Sequence, residues 1–195
     1  MTASVVTLDQ ATHTYTVDGR IVPGVSDILD AAGLTRGMAF VSDYALDRGR
    51  EVHRAIELYL KGEADDYDFD PIVVPRLNAF RVWREAMGDR LQPLDIEVPR
   101  AHPALGFAGQ PDLVAMFDGV RTVCEWKNGT EHYANRIQAA GYAILTGATG
   151  RLGLYLTADR PAKPVPWTDR QDVGIFQSAL TLYRVRERHG LLPKE

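Results

Sequence analysis

Asp112 and Glu125, thirteen positions apart, with Lys127 two residues beyond the second acid, are the residues best placed by type and spacing to do chemistry. Two apolar segments lie between the acids, joined by Asp118-Gly119, a dipeptide that favours a two-residue hairpin turn. With such a turn Phe117 faces Val120, each later pair has indices summing to 237, and Asp112 falls opposite Glu125. Directly opposed residues bring their Cβ atoms to about 4.5–5.5 Å on one face of a sheet. Two carboxylates there repel. A divalent cation between them reverses the sign, because hard ions such as Mg²⁺ take one or two carboxylates and keep several waters. Lys127 projects on the same face, roughly 6–7 Å further along. Spacing alone leaves a second reading open, a solvated hairpin whose acids Lys127 neutralises. Val114, Phe117 and Val123 count against it, being too apolar for that setting, and a turn one residue longer would break the register.

Other elements must hold this hairpin in place. Residues 13–22, HTYTVDGRIV, read as a hairpin about Asp18-Gly19, and Ser26 to Ala32 as a short helix stopped by Gly33. The spacing predicts a helix over 42–61, capped by Ser42 and stopped by Gly62, with Leu46, Val52, Ile56, Tyr59 and Leu60 mainly on one side. An acidic loop, 63–70, leads to a helix from Pro75 to Met87 with the stripe Leu77, Phe80, Trp83, Met87. Leu94, Ile96 and Val98 then alternate with Asp95, Glu97 and Pro99, as a half-buried strand does. Residues 111–117 and 120–127 read as strands, 134–146 as a helix and 151–157 as a strand. A proline-rich link precedes a last helix near 170–188 with Val173, Phe176, Leu180 and Tyr183 facing inward. The expectation is one α/β domain over 1–195, a central mixed sheet of four or so strands flanked by helices, with an N-terminal β-hairpin. Its motif-bearing core spans about 42–157, and a C-terminal helix lies in 165–195.

Composition narrows the classes. The 195 residues carry 22 Lys plus Arg against 26 Asp plus Glu, a net charge of −4, with 45% hydrophobic and 25% charged residues, so a packed core is expected and wholesale disorder is not. Binding of phosphate by bulk positive charge is disfavoured, whereas a local basic groove is compatible with this balance. No apolar run approaches the roughly 18–20 residues of a membrane helix, and the start, MTASVVTLDQ, lacks a basic region before an apolar stretch. A soluble chain that stays where it is made is expected. The single cysteine, Cys124, excludes an internal disulfide, a four-cysteine zinc site and a self-contained iron–sulfur cluster.

Gly109-Gln110-Pro111-Asp112, followed by Glu125-Trp126-Lys127, resembles the signature of the PD-(D/E)XK nucleases. Gly49-Arg50-Glu51-Val52-His53 with Ile56-Glu57-Leu58-Tyr59-Leu60 is similar to the motif helix of the RecB-type and phage recombination exonuclease branch. Gln138-Ala139-Ala140-Gly141-Tyr142 resembles that branch's Gln-x-x-x-Tyr motif, and His13-x-Tyr15 through Ser26 its N-terminal hairpin. Asn128-Gly129 stands where many relatives have Thr-Gly, a neutral change because both support a tight turn. The likeness covers roughly residues 13–157 and implies a restriction-endonuclease-like core. It also implies a metal-dependent deoxyribonuclease using Mg²⁺ or Mn²⁺, without an iron–sulfur cluster, acting on DNA in recombination, repair or phage DNA processing. Cytoplasmic residence in a bacterium or phage-infected cell follows from the same likeness, as does a homo-oligomer or a recombination partner protein.

The implied roles are specific. Asp112, Glu125, the backbone carbonyl of Trp126 and His53 hold the metal, and Lys127 orients or helps deprotonate water and steadies developing charge. Unaided, His53 reads as a core histidine. Glu57, one turn beyond it, reads equally as a second-metal ligand or a solvated helix carboxylate. Gln138 and Tyr142, i and i+4 on one helix, position the phosphate or the nucleophile, and Arg136 beside them is a phosphate contact. Arg184, Arg186 and Arg188 end the last helix, where cations are favoured without any ligand, and that reading is preferred over DNA contact. Exonuclease action is expected. A structure-specific endonuclease, or a catalytically weak DNA-binding module of the same fold, is the alternative.

Overall fold

In the computed structural model, residues 5–36, 42–64 and 68–192 are described. Three short strands, β1 (Val6–Asp9), β2 (Thr14–Val17) and β3 (Arg20–Val22), form a small antiparallel sheet with β2 central. Asp18 and Gly19 both take positive φ, as the tight turn between β2 and β3 requires. Helix α1 (Val25–Ala31) follows, its start held by the Gly24 N–H donating to Asp27 Oδ2 at 2.7 Å. Helix α2 (Asp43–Lys61) is capped by Ser42 Oγ, which accepts from Ala45 N, and ends at left-handed Gly62. Helix α3 (Val74–Met87) buries Leu77, Phe80 and Trp83.

The main sheet contains β4 (Leu91–Ile96), β7 (Leu113–Phe117), β8 (Val120–Asn128), β9 (Gly150–Leu156) and β10 (Lys163–Pro166), in the order β10-β9-β8-β7-β4. Strands β5 (Arg100–His102) and β6 (Phe107–Gly109) pair separately, before β7. Among the described strands of this sheet only the β8–β9 pair is parallel, and helix α4 (Tyr133–Thr146) makes its crossover. Helix α5 (Gln171–Arg188) closes the fold. Period-two alternation splits β8: Cys124 and Trp126 join Val52, Ile56, Phe80 and Leu154 in a core under α2 and α3. Val123 instead meets Ile28, Phe107, Ile137 and Phe176 in a second core under α1, α4 and α5.

Several sequence expectations shift. Strand β10 lies inside the segment expected to be a plain link; it escapes the usual signals because it is an edge strand carrying Pro164 and Pro166. The strand expected around Leu94–Val98 runs instead from Leu91 to Ile96 with a bulge between Pro93 and Asp95, and it ends before Glu97. Strands β1, β5 and β6 carry no alternation long enough to read. Leu46 is exposed rather than packed with Val52 and Ile56.

Candidate active site

The register of the central hairpin is the one the turn dictates: Phe117 pairs with Val120 and Leu113 with Cys124. One step further, Asp112 leaves the ladder and uses its side chain. Its Oδ2 accepts from the Trp126 N–H at 2.6 Å, while its own N–H donates to Glu125 Oε1 at 3.2 Å. The two acids are therefore locked together by backbone donors, and both are buried, Asp112 at 6% and Glu125 at 2% exposure.

Helix α2 brings His53 to this pair, Nδ1 lying 3.0 Å from Asp112 Oδ1. Burial pulls the imidazole toward neutrality, but the Asp112 charge and hydrogen bond outweigh it and raise its pKa. Asp112 is pushed up by burial too, yet His53, Lys127 and the Trp126 N–H together hold it below its ordinary value. Glu125 is raised, first by burial and then by the Asp112 charge. Lys127 Nζ donates to Glu125 Oε2 at 3.0 Å and to Gln138 Oε1 at 2.8 Å. Burial works against its charge, but Glu125 and Asp112 prevail and its pKa is raised. Lys127 is accordingly an ammonium, suited to orienting water and meeting negative charge rather than to acting as a free base.

On α4, Gln138 passes the chain of contacts onward, its Nε2 lying 3.3 Å from the Tyr142 hydroxyl and 3.5 Å from Ser26 Oγ. Tyr142 is buried, and its ring fits because residue 109 is glycine: a Cβ there would stand 2.6 Å from the ring.

Glu97 is the residue that sequence reasoning missed. Alternation with Ile96 and Val98 predicts an outward strand position; instead Glu97 follows the end of β4 in a left-handed conformation, φ 51°, and turns inward. Its N–H donates to Asp112 O at 3.1 Å, and Gln110 Nε2 donates to its carbonyl at 2.9 Å and to Oε2 at 3.0 Å. Burial first, then Asp112 and Glu125, raise its carboxyl. One ligand atom each from His53, Glu97 and Asp112 lie within 4.8 Å of one another. Pro93 and Pro99, flanking an otherwise alternating run, were the one visible sign that the strand is interrupted.

Two other expected site residues are engaged away from this group. Glu57 is taken up on its own helix, accepting from Arg54 at 2.8 Å and Lys61 at 2.5 Å, and lies outside the metal-capable group. Arg136 turns to Asp172, Nε to Oδ2 at 3.0 Å, and to Asp169 at 2.9 Å, because the fully buried Asp172 carboxylate needs its charge met. Arg151 shares that duty at 2.7 Å. Arg184 and Arg186 bond the carbonyls of Leu105 and Ala31, fastening α5 to the body in keeping with the structural reading.

The donor set fits a hard divalent cation: the Glu97 and Asp112 carboxylates and the His53 imidazole converge, Glu125 is bonded to Asp112 beside them, and both glutamates resist ionising next to Asp112. His53, Glu97 and Asp112, with Glu125 beside them, would hold such an ion, which would supply a Lewis acid and a more acidic bound water.

Neither a protein-family model nor a curated protein matches the sequence. Among solved structures, a provisionally named exonuclease from Eubacterium rectale superimposes with a TM-score of 0.56 at 12% identity, over 88% of this chain and 83% of that one. LHK-Exo, an alkaline exonuclease from Laribacter hongkongensis seen in complex with dAMP, gives 0.45 at 12% identity over 88% and 95% of the two chains. Among the described residues no helix is long and apolar enough to cross a membrane. The five-stranded mixed sheet between two helical layers is a fold this chain shares with the Eubacterium rectale structure.

Proposed function

We propose that the protein is a metal-dependent deoxyribonuclease that hydrolyses phosphodiester bonds, with Mg²⁺ or Mn²⁺ as cofactor and exonuclease action. The observation that carries this reading is the continuous set His53–Asp112–Glu125–Lys127–Gln138–Tyr142, each member bonded to the next and supplied by four separate segments. Such a set offers what phosphoryl chemistry needs. The acids and His53 would hold the cation, with the Trp126 carbonyl as the further ligand that the motif likeness implies. Lys127, fixed between Glu125 and Gln138, holds a water by its ammonium group and meets charge as it grows on the phosphate. Gln138 and Tyr142 fix where Lys127 and the phosphate stand, which makes the attack effectively unimolecular. Glu97, rather than Glu57, would add a further carboxylate to that cation's donors. Exonuclease action is favoured by the motif likeness and by the name of the Eubacterium rectale neighbour, and a role in recombination, repair or phage DNA processing follows from that likeness.

The test is hydrolysis of end-labelled linear DNA and of closed single-stranded circles, with Mg²⁺, Mn²⁺ or EDTA. Linear DNA should be degraded with either metal, circles should persist, and Asp112→Asn should abolish both activity and metal binding. Nicking of circles under conditions that spare ends would favour the endonuclease. DNA binding without metal-dependent cleavage would favour the inactive binding module.

A further inference from the structure

Among the described residues, the Arg and Lys side chains along α2 are paired with acids, Arg48 excepted. Arg50 meets Asp47 at 2.9 Å, and Arg54 and Lys61 both reach Glu57. Arg48 instead lies over the Tyr44 ring, 5.9 Å from its centroid, and its Nε is shielded from water without an acceptor. Arg76, on α3, is in the same condition. One of its terminal nitrogens donates to the Ile72 carbonyl at 2.9 Å, and its Nε is likewise shielded and unbonded. Burial and then the Arg48 charge depress the Arg76 guanidinium, so the two sense each other. Among the described residues no carboxylate forms an ion pair with either; Asp159, whose field reaches Arg76, is exposed and pairs with Arg160 at 3.6 Å. Both guanidinium groups thus keep donors without an acidic partner among the described residues, which leaves them open to an anion in a chain of net charge −4.

Their place in the fold says which anion. Gly49, next to Arg48, approaches the Asn128 side chain, a Cβ there lying 3.9 Å from Nδ2. Asn128 directly follows Lys127 and is the register partner of Leu156 in β9, just ahead of Asp159. The arginine pair thus sits at the C-terminal ends of the two parallel strands, the end that carries Lys127. Gly49 also lies four residues before His53 on the same helix, a rise of about 6 Å. We propose that Arg48 and Arg76 form a phosphate-holding pair that grips the nucleic-acid backbone outside the catalytic set. Guanidinium forks match phosphate oxygens in number and direction. The inference rests on the nuclease reading for its ligand.

Fluorescence anisotropy of a dye-labelled oligothymidylate, over a range of salt and without divalent ions, tests it in the Asp112→Asn chain. Arg48→Gln and Arg76→Gln should each weaken binding severalfold and lower the salt slope by about 0.7, one single-strand phosphate contact. Arg48→Lys and Arg76→Lys should keep the slope, and Arg50→Gln, on the acid-paired arginine, should change nothing. Unchanged slopes in the glutamine variants, or an equal fall in Arg50→Gln, would overturn the proposal. Should a glutamine variant lose its melting transition, phenylglyoxal labelling of the unsubstituted chain decides instead: the oligonucleotide should protect Arg48 and Arg76, and unprotected labelling refutes the idea. Failure of the Asp112→Asn chain to bind DNA even at low salt would bring down the nuclease reading itself. Binding that ignores both arginines would bring down only this pair.

Discussion

Removing the divalent ion should cost this protein more stability at about pH 8 than at about pH 6, and the sign follows from three groups. Glu97 and Glu125 have carboxyl pKa values raised by burial and by neighbouring negative charge. Above the ordinary value of 4.5 the unfolded chain has released protons that the folded chain still holds. Stability without metal therefore falls as pH rises through the raised values. His53 adds in the same direction: its pKa lies above the ordinary 6.5, so its contribution is complete below that value and is lost as pH passes the folded one. Asp112, held below 3.8, is ionised in both states across this window and contributes a constant. A cation at a hundred times its dissociation constant adds about 2.7 kcal/mol, or roughly 5–11 °C for a chain of this size. Each proton displaced by the metal weakens apparent affinity about tenfold per pH unit. A single linked proton, two units lower, then brings the same Mn²⁺ concentration down to its dissociation constant and the gain below about half a kcal/mol. Differential scanning fluorimetry with EDTA and with Mn²⁺ at both pH values reads this directly. A melting temperature in EDTA that is flat or rises with pH, or an equal Mn²⁺ gain at both, would refute the reasoning.

Three substitutions separate the remaining roles. Lys127→Ala should keep Mn²⁺ binding by calorimetry yet lose about a hundred- to a thousandfold in turnover, because the ammonium acts where charge develops. Gly109→Ala should push the Tyr142 ring aside, lowering cleavage while sparing metal affinity and costing about 1–3 kcal/mol by chemical denaturation. Asp172→Ala should destabilise by about 3–5 kcal/mol in the same denaturation assay, since Arg151 would be left buried without its partner; a loss within experimental error would dismiss that pairing as structural.

Local chemistry was legible in the sequence wherever it was set by neighbours in the chain. The turn at Asp118-Gly119 determines the register, and the register alone brings Asp112 and Glu125 together. Ser42 and Gly62 bound α2 for the same reason, each meeting backbone groups a few residues away. What escaped depends on partners distant in sequence. Arg136 looked free because Asp172 lies 36 residues on, and Glu97 looked outward because alternation cannot reveal a bulge or a left-handed residue. Gln110, which captures Glu97 across 13 residues, gave no signal beyond its place beside the motif acid. Helical i, i+4 geometry explains the opposite outcome for Gln138 and Tyr142, whose contact is written into their spacing.

Prolines at the margins of the main sheet bear on how molecules of this protein can meet. One border strand, β10, carries Pro164 and Pro166, and the other, β4, carries Pro93 beside its bulge. A proline offers no N–H to an incoming strand, and a bulge twists the rim away from it. Strand-by-strand growth from either border is thus blocked, which guards the folded chain against fibrillar stacking and against recruiting a neighbour's backbone. Growth through the main sheet is closed off in this way, so substituting Pro164 and Pro166 should alter colloidal behaviour at high concentration long before it alters the chemistry at Asp112.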